Sequence, residues 1–353
     1  MRAILVTGGA GFIGANFVHF LRRERPEWIV VNLDLLTYAG NPENLAPLEG
    51  DPGHILVPGD IGDRELVASL FSRYGIERVA HFAAESHVDR SILDPGVFVR
   101  TNVLGAFTLL DEARRAWQGT DRKGRRFLHI STDEVYGSLG PEDPPFTEET
   151  PYAPNSPYAA SKAGADFLVR SYFKTYGFPT LITNCSNNYG PYQFPEKLIP
   201  FAISQALAGK PVPIYGTGAN IRDWIFVEDH CRGLLAVLEG GRPGETYNLG
   251  GRQEKPNLEL VRLLLGLLQE IRPGSRPLKE LITFVTDRPG HDWRYAINTA
   301  KIERELGWRP RVDLEEGLRR TISWYLEHQE WLERVRSGAY RDYLQRQYGG
   351  AVV

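Results

Sequence analysis

Two adjacent carboxylates follow one of the apolar runs of this sequence. Asp133 and Glu134 stand in the segment STDEVYG (131–137), directly after the run Phe127 to Ile130, which we predict to be a β-strand. Ligands of open α/β sheets bind beyond the carboxyl ends of the strands, so both acids are predicted to face a ligand. Taken alone, Asp133 could cap a helix and Glu134 could be a solvated charge. Two further motifs favour the functional interpretation.

A tyrosine and a lysine four positions apart form the first of these motifs. Tyr158 and Lys162 stand in YAASK (158–162), and on a helix both side chains would fall on one face. A phenol with a pKa of about 10 is a poor base near neutral pH, but a neighbouring ammonium and a nicotinamide cation would stabilise the tyrosinate. Tyr158 could then accept a proton from a hydroxyl group. Because Tyr-x-x-x-Lys is common on helix surfaces, this prediction depends on a cofactor motif.

A glycine-rich turn supplies the cofactor motif. Gly8, Gly11 and Gly14 lie between an apolar run and a helical pattern, which lets the backbone approach a pyrophosphate at a helix N-terminus. Asp34 ends the next apolar run, about 20 residues after the turn, where a carboxylate can bind a ribose and would repel a 2′-phosphate. A tight turn and a cap are the alternatives for these residues taken singly. Together the two features predict NAD, and not NADP, as the cofactor.

The order of the elements predicts how these residues are positioned. Short apolar runs alternate with helix-compatible stretches, which is typical of an α/β fold with a parallel sheet. We therefore predict a Rossmann-type doubly wound parallel sheet. Strands are predicted at residues 28–33, 54–57, 78–82, 127–130 and 179–183, and long helices at 97–117 and 158–176.

A second, smaller α/β lobe is predicted to begin near Asn187, because prolines crowd the sequence beyond it. A strand and helix at 223–238 are predicted to return to the first domain. Helices of the smaller lobe are predicted at 198–208, 258–271, 301–306 and 314–335. The predicted boundaries are 1–186 and about 221–249 for the Rossmann domain, and about 187–220 and 250–353 for the smaller lobe.

Composition and charge narrow the possible partners. The 353 residues are 42% hydrophobic, enough for a sizeable core, and 41 basic residues nearly balance 44 acidic ones. This balance gives no general attraction to nucleic acid or to an anionic membrane. Cys185 and Cys231 fit neither a disulfide framework nor a metal cluster, so we expect buried thiols, a cytoplasmic protein and no bound metal. No signal peptide or membrane-spanning run is predicted.

Taken together, these motifs resemble the extended short-chain dehydrogenase family and, within it, the dTDP-glucose 4,6-dehydratases. The resemblance covers nearly the whole chain, and STDEVYG discriminates most, because sugar-nucleotide epimerases of the family typically lack the Asp-Glu pair. Asn298 stands where the family more commonly has aspartate, at a position outside the expected chemistry. The other segments that carry the resemblance are TGGAGFIG (7–14), FAAESHVDRS (82–91), YAASK (158–162), SNNYGPYQFPEKLIP (186–200), RDW (222–224) and DRPGHDWRYAI (287–297).

The resemblance implies an NAD-dependent hydro-lyase of deoxysugar biosynthesis, which acts on a nucleotide-activated hexose. It implies that Tyr158 takes the proton of the sugar 4-hydroxyl while NAD accepts hydride from C4. Glu134 is then expected to remove the C5 proton, Asp133 to protonate the departing 6-hydroxyl, and hydride to return to C6. dTDP-glucose would give dTDP-4-keto-6-deoxyglucose and water. Thr132 is expected to hydrogen-bond the 4-oxygen, and Lys162 to support Tyr158.

The resemblance also assigns binding residues, and a homodimer formed through the two long helices. Arg222 and Arg288 suit a diphosphate, because guanidinium groups bind phosphate oxygens in a fixed fork. Residues expected to contact NAD are Gly8, Gly11, Phe12, Ile13, Gly14, Asp34, Thr37, Asp60, Ile61, Ala83, Ala84, Thr101, Tyr158, Lys162 and Asn188. Residues expected to contact the nucleotide sugar are Ser86, His87, Thr132, Asn187, Lys197, Leu198, Pro213, Tyr215, Arg222, Asn257, Arg288 and His291.

Several alternatives stay open at this point. UDP- or CDP-linked sugars could undergo the same dehydration, because no residue in the sequence separates a thymine pocket from a uracil pocket. A 4-epimerase or a UDP-glucuronate decarboxylase would share the glycine turn and the Tyr-Lys pair but would not need both Asp133 and Glu134. A non-catalytic NAD-binding module would need only the glycines and Asp34, and it would have no use for the acid pair.

Overall fold

The central feature of the fold is a parallel sheet of seven strands. The computed structural model describes residues 2–121, 123–287 and 290–336. Its strands are β1 (Arg2–Thr7), β2 (Trp28–Asp34), β3 (His54–Pro58), β4 (Ile76–His81), β5 (Arg126–Thr132), β6 (Thr180–Cys185), β7 (Asn187–Tyr189), β8 (Val212–Tyr215), β9 (Ile221–Phe226), β10 (Thr246–Leu249), β11 (Glu254–Pro256) and β12 (Ile282–Val285). The order across the large sheet is β10-β6-β5-β4-β1-β2-β3, with every neighbouring pair parallel. This order confirms the predicted Rossmann-type sheet.

Helices connect and cover the strands. The α-helices are α1 (Phe12–Glu24), α2 (Arg64–Tyr74), α3 (Val88–Leu93), α4 (Pro95–Phe98), α5 (Ala106–Ala116), α6 (Pro157–Tyr176), α7 (Leu198–Leu207), α8 (Val227–Gly240), α9 (Asn257–Ile271), α10 (Ala300–Leu306), α11 (Leu314–Glu327) and α12 (Gln329–Val335). Shorter 3-10 helices span Pro42–Leu48, Asp133–Tyr136 and Leu278–Leu281. Among the helices of the described ranges, none has the length and apolar character needed to cross a membrane.

Two predicted helices differ from the structure in detail. The helix predicted at 97–117 is continuous, but a π-helical segment, Val99–Gly105, joins α4 to α5. The helix predicted at 314–335 is two helices, because the backbone of His328 leaves the helical region at φ −117° and ψ 42°. The imidazole of His328 stacks on Trp324, and its Nδ1 lies 2.8 Å from the Trp324 carbonyl oxygen. These contacts between His328 and Trp324 form at the point where the helix is interrupted.

The bounds of α6 follow from its sequence. Ser156 caps the N-terminus, since its hydroxyl accepts a hydrogen bond from the backbone N–H of Ala159 at 3.1 Å. Pro157 occupies the first helical turn, where its missing N–H costs nothing. Gly177 ends the helix at φ +57°, a conformation that favours glycine. The helix therefore begins one residue before Tyr158, so that Tyr158 and Lys162 both lie within its first two turns.

Strand β1 shows how the sheet separates two cores. Its side chains alternate between the faces: Ile4 and Val6 pack into one core, and Ala3 and Leu5 into the other. All four are buried, as expected where helices cover both faces of a parallel sheet. A separate core of the smaller lobe is built mainly from apolar side chains of α7, α9 and α11.

The two lobes are joined by a small sheet, and their predicted boundaries stay a proposal. Strand β9 lies between β7 and β11 and does not enter the seven-stranded sheet. Ile225 of β9 packs into the core of the large sheet, whereas Trp224 and Phe226 pack into the core of the smaller lobe. Helix α10 differs from the expectation that it belongs to the smaller lobe, because Ile302 and the following Trp308 pack into the core of the large sheet.

Candidate active site

A cavity opens at the carboxyl edge of the seven-stranded sheet. It is lined by the turn after β1, by the ends of β2, β4, β5 and β6, and by the first turns of α6. All residues expected to contact NAD and all five expected catalytic residues line it. The sheet brings these segments together because each is the carboxyl end of a parallel strand or the helix that follows. Their individual roles stay predictions.

The glycine turn leaves space that side chains would fill. Gly8 has φ +73°, and a Cβ atom there would lie 2.6 Å from the backbone nitrogen of Ala83. A Cβ atom at Gly14 would lie 2.1 Å from the carbonyl oxygen of Gly8. Gly11 is the N-cap of α1, so the first N–H groups of that helix point toward the cavity end of β1. This cradle fits a pyrophosphate held at a helix N-terminus.

Asp34 is held rigidly at the end of β2. Its Oδ2 accepts a hydrogen bond from the N–H of Ala10 at 2.8 Å, and its Oδ1 accepts one from the N–H of Leu36 at 2.8 Å. Burial raises the pKa of Asp34, while these two hydrogen bonds lower it. The carboxylate lines the cavity beside the glycine turn. Its placement fits a ribose next to the pyrophosphate, so the residues present fit NAD.

Thr132, Asp133 and Glu134 form a compact group where β5 ends. Thr132 is the N-cap of the 3-10 helix Asp133–Tyr136, and its hydroxyl accepts a hydrogen bond from the N–H of Glu134 at 3.3 Å. The same hydroxyl donates to Asp133 Oδ1 at 3.4 Å. Burial raises the pKa of Tyr158, and the neighbouring Thr132 lowers it. The threonine hydroxyl thus bonds the acid pair and lies near the phenol.

The electrostatics of Tyr158 differ from the sequence-based expectation. Burial raises the pKa of Tyr158 well above its usual value, and the negative charge of Glu134 raises it further. The Lys162 ammonium donates a hydrogen bond to the carbonyl oxygen of Ile130 at 2.8 Å, which fixes it at the end of β5. Burial lowers the pKa of Lys162. Without bound cofactor, therefore, Tyr158 is a neutral phenol, and Lys162 does not by itself produce the tyrosinate.

Asp133 is a buried carboxyl group whose surroundings favour the protonated form. Its exposed fraction is 2%, and burial raises its pKa well above the usual value. Glu134 and Asp223 raise the pKa further, while Arg222 lowers it. Among the described residues, Asp133 Oδ2 has no hydrogen-bond partner. A buried, protonated carboxyl group beside a second carboxyl group is the arrangement expected of a general acid next to a base.

The residues expected to bind the nucleotide sugar fall into two groups. One group lines the same cavity and consists of Ser86, Thr132, Asn187 and Lys197. Within it, Lys197 Nζ donates to the carbonyl oxygen of Ser86 at 3.0 Å. The second group lies outside the lining of the cavity and consists of His87, Leu198, Pro213, Tyr215, Arg222, Asn257 and His291. Arg288 falls outside the described residues.

Most of the second group belongs to the smaller lobe. The Tyr215 and His291 rings meet edge to face at 6.2 Å, and the Arg222 guanidinium lies 4.2 Å over the Tyr295 ring. Arg222 also donates to the carbonyl oxygens of Ile221 at 2.7 Å and Asp292 at 2.9 Å. These main-chain contacts orient the guanidinium, and its expected contact with a diphosphate stays a prediction.

Sequence reasoning missed several residues of the cavity wall. Cys185 is buried in the core, as expected, but it also lines the cavity, and both burial and the charge of Asp133 raise the pKa of its thiol to about 12. Glu196 and Gln193 also line the cavity from the proline-rich loop. Glu196 accepts hydrogen bonds at 3.3 Å from Tyr38 Oη and at 3.3 Å from Arg90 Nε. The clustered prolines marked this loop, but its packing against the cavity depends on long-range contacts.

Comparisons with known proteins agree with this geometry. The family model described as GDP-mannose 4,6 dehydratase matches residues 5–321. The dTDP-glucose 4,6-dehydratase of Xanthomonas campestris pv. campestris is 56% identical over 346 residues, 97% of this chain and 98% of that protein. The dTDP-glucose 4,6-dehydratase 1 of Escherichia coli is 51% identical over 359 residues, 98% of this chain and 99% of that protein. The structure of DesIV, a dTDP-glucose 4,6-dehydratase from Streptomyces venezuelae with NAD and dTDP bound, has a TM-score of 0.87 at 49% identity and covers 95% of this chain and 100% of that one.

The glycine turn generates a prediction about cofactor binding. Gly14→Ala places a Cβ atom against the Gly8 carbonyl oxygen, so the turn must shift, and we expect the affinity for NAD to fall at least tenfold, which is about 1.4 kcal/mol. Titration calorimetry with NAD measures this change. The matched control is Gly274→Ala, where the nearest heavy atom to the new Cβ is 3.8 Å away and affinity should be unchanged. Equal affinities for the two variants would refute the assignment of the turn.

Proposed function

The chain belongs to the nucleotide-sugar 4,6-dehydratases of the extended short-chain dehydrogenase family, and on this premise we propose that it converts dTDP-glucose to dTDP-4-keto-6-deoxyglucose and water with NAD as cofactor. One observation supports the proposal above the others. Asp133, whose pKa burial raises, and its neighbour Glu134 stand beside Tyr158 in a cavity that begins at the glycine turn. Acid, base and phenol thus converge where one hexose can reach all three.

The first part of the reaction makes the 4-keto sugar. NAD, when bound, supplies the reversible oxidation of the sugar. Tyr158 accepts the proton of the 4-hydroxyl, and the buried ammonium of Lys162, one helical turn away, bonds the Ile130 carbonyl. The positive charge of the bound cofactor favours the tyrosinate, which the protein alone disfavours. Thr132 donates a hydrogen bond toward the 4-oxygen as its charge develops.

The second part removes water across C5 and C6. The 4-ketone acidifies the C5 proton, and Glu134 accepts it. The bond between C6 and its hydroxyl oxygen breaks as Asp133 donates its proton to the departing oxygen, which leaves as water. A double bond between C5 and C6 results, and the hydride removed from C4 returns to C6 while C5 is protonated. Burial and then the charge of Glu134 raise the pKa of Asp133, which favours the proton that this step requires.

Other enzymes with this fold require fewer catalytic residues than this cavity contains. A 4-epimerase or a UDP-glucuronate decarboxylase requires the tyrosine and lysine but no acid at the position of Asp133. A non-catalytic NAD-binding module requires only the glycine turn and Asp34. Neither alternative gives a reason to bury a second carboxyl group next to Glu134, because burying an unpaired carboxyl group is costly. UDP- and CDP-linked sugars are alternatives to the dTDP-linked one, and curated relatives above 50% identity are named for dTDP-glucose.

A homodimer is proposed from apolar side chains on the outer surface of the two long helical segments. Leu104 and Phe167 expose 56% and 58% of their surfaces, and Val99 and Phe107 are also exposed. Exposed apolar side chains that gather on neighbouring helices favour an interface. The cytoplasmic location expected from the sequence also stays a prediction. Cys185 and Cys231 are both buried thiols, as that expectation requires.

The route of hydrogen through the reaction tests the proposed mechanism. Substrate that carries deuterium at C4 should give product with the label at C6, because the hydrogen taken from C4 is kept in the cavity and returned to the same sugar. Mass spectrometry and proton NMR locate the label. As a control, unlabelled substrate in deuterated water should acquire deuterium at C5, where the proton exchanges. Loss of the C4 label to solvent, or an epimer in place of a keto sugar, would contradict the mechanism.

Glu134→Gln separates oxidation from elimination. The amide cannot accept the C5 proton, so elimination should slow by about 10²- to 10⁴-fold while oxidation at C4 continues. Absorbance of the reduced nicotinamide should therefore accumulate after substrate is added, and stopped-flow spectroscopy measures it. The control Glu149→Gln changes an exposed residue of the nearby loop and should behave as the parent protein. Unaltered turnover of Glu134→Gln would remove Glu134 from its proposed role.

A charge on the exposed helical surface tests the dimer. Leu104→Glu should place a carboxylate in an apolar interface and reduce the molar mass measured by light scattering from that of a dimer to that of a monomer. Ile271→Glu introduces the same charge on α9, where the side chain is 37% exposed, and should leave the mass unchanged. A parent protein that is monomeric at micromolar concentration would refute the proposal.

A further inference from the structure

Asp166 continues the line of Tyr158 and Lys162 along α6. It lies one helical turn beyond the lysine, faces β5, and has an exposed fraction of 1%. Its Oδ2 accepts a hydrogen bond from the Ser131 hydroxyl at 2.8 Å, and its Oδ1 lies 3.2 Å from His129 Nε2. The carboxylate therefore joins α6, which carries the phenol, to the end of β5, just before the acid pair.

A second set of contacts reaches the far end of the acid-bearing segment. Burial raises the pKa of Asp166, and the neighbouring Tyr152 lowers it. Asn184 Nδ2 donates to the hydroxyl oxygen of Tyr152 at 3.1 Å and to that of Tyr136 at 2.8 Å. Tyr136 is the last residue of the 3-10 helix that begins with Asp133. Asp166 is thus connected to both ends of the segment 131–136, on one side directly and on the other through Tyr152 and Asn184.

The charge of Asp166 also acts on Lys162. Burial lowers the pKa of Lys162, and Asp166 is the main group that raises it, with a further contribution from Cys185. Burial raises the pKa of Asp166 to about 7, while Lys162, the hydrogen bond from Ser131 and the neighbouring Tyr152 lower it. Above that pH the carboxylate is ionised.

The other titratable groups that face this pair are uncharged under the same conditions. His129 of β5 and His81 of β4 both have a pKa lowered well below the usual value, first by burial. Tyr152 and Cys185 have a raised pKa, also first through burial. Among the described groups that act on the Lys162 ammonium, Asp166 is therefore the main source of negative charge.

We propose that Asp166 is a positioning residue for the catalytic centre: it fixes the acid-bearing end of β5 against α6 and supplies the negative charge that the buried Lys162 ammonium faces. The inference rests on the proposed function for its consequence in catalysis. The pairing with Lys162 is a property of the protein itself. The two parts can therefore be tested separately, the first without any sugar.

The first experiment measures the protonation of Lys162 in the NAD-loaded enzyme. The sequence contains eight lysines, so enzyme labelled isotopically at lysine Cε gives few NMR signals, and Lys162→Met identifies the signal of Lys162. Asp166→Asn removes the charge and keeps the shape, and we expect the titration midpoint of Lys162 to fall by about one pH unit, a tenfold change in proton affinity. The matched control is Asp111→Asn, which removes an aspartate that accepts a hydrogen bond from Tyr172 of the same helix, away from the cavity. An unchanged midpoint in Asp166→Asn would overturn the charge pairing.

The second experiment measures turnover of the nucleotide sugar between pH 7 and 8. Asp166→Asn and Ser131→Ala should each lower kcat about tenfold and change KM less than about twofold, because they misplace reacting groups without removing a substrate contact. Ser171→Ala removes a hydroxyl on the same helix that bonds only the local Leu168 carbonyl, and should match the parent. If Asp166→Asn fails to fold, the Ser131→Ala variant tests the positioning role in its place. A kcat of Ser131→Ala equal to that of Ser171→Ala would overturn that role. A parent enzyme without dehydratase activity would instead refute the proposed function, and the Lys162 titration would still test the pairing.

Discussion

The packing of helix α6 against the end of strand β5 is the constraint on which the rest of the structure depends. Tyr158 and Lys162 stand on the helix, whereas Thr132, Asp133 and Glu134 follow the strand. Neither element holds a complete set of reactive groups. Lys162 crosses the gap to bond the Ile130 carbonyl at 2.8 Å, and Asp166 bonds the Ser131 hydroxyl at 2.8 Å. A shift of one residue between the helix and the strand would separate the phenol from the acids. These two polar contacts therefore fix the position of α6 relative to β5.

Burial gives the same few groups unequal properties. Burial raises the pKa of both Asp133 and Asp34, but the rise is large at Asp133, whereas two backbone N–H groups oppose it at Asp34. The number of nearby donors thus helps to set how far burial shifts the pKa of each acid. Burying these carboxyl groups costs free energy, because they lose contact with water. The apolar cores on both faces of the sheet supply the stability that offsets this cost.

Local sequence patterns predicted the elements well where the chain is regular. Alternating apolar runs placed the strands of the large sheet, and the glycine turn with Asp34 placed the cofactor end of the cavity, because both signals depend on residues close in sequence. Contacts between segments that are distant in sequence were harder to predict from the sequence. Asp166 was overlooked because a lone aspartate on a helix looks like a surface charge until Ser131 is brought to it. Trp308 and the break at His328 depend on packing partners that no periodicity reveals. The substrate-binding residues outside the cavity wall were predicted from the family resemblance. A resemblance identifies matching positions in the sequence, but it does not show which side chains contact the substrate.

Strand β9 has a consequence for how this protein could be divided or recombined. Its successive side chains enter different cores, Ile225 into that of the large sheet and Trp224 with Phe226 into that of the smaller lobe. No cut in a single linker would release either half as an autonomous folding unit. Chimeras that exchange nucleotide specificity with a relative would have to graft several discontinuous pieces at once and preserve the alternation of β9. Evolution of new sugar preferences on this scaffold is therefore expected to proceed through changes within loops and not through shuffling of whole halves.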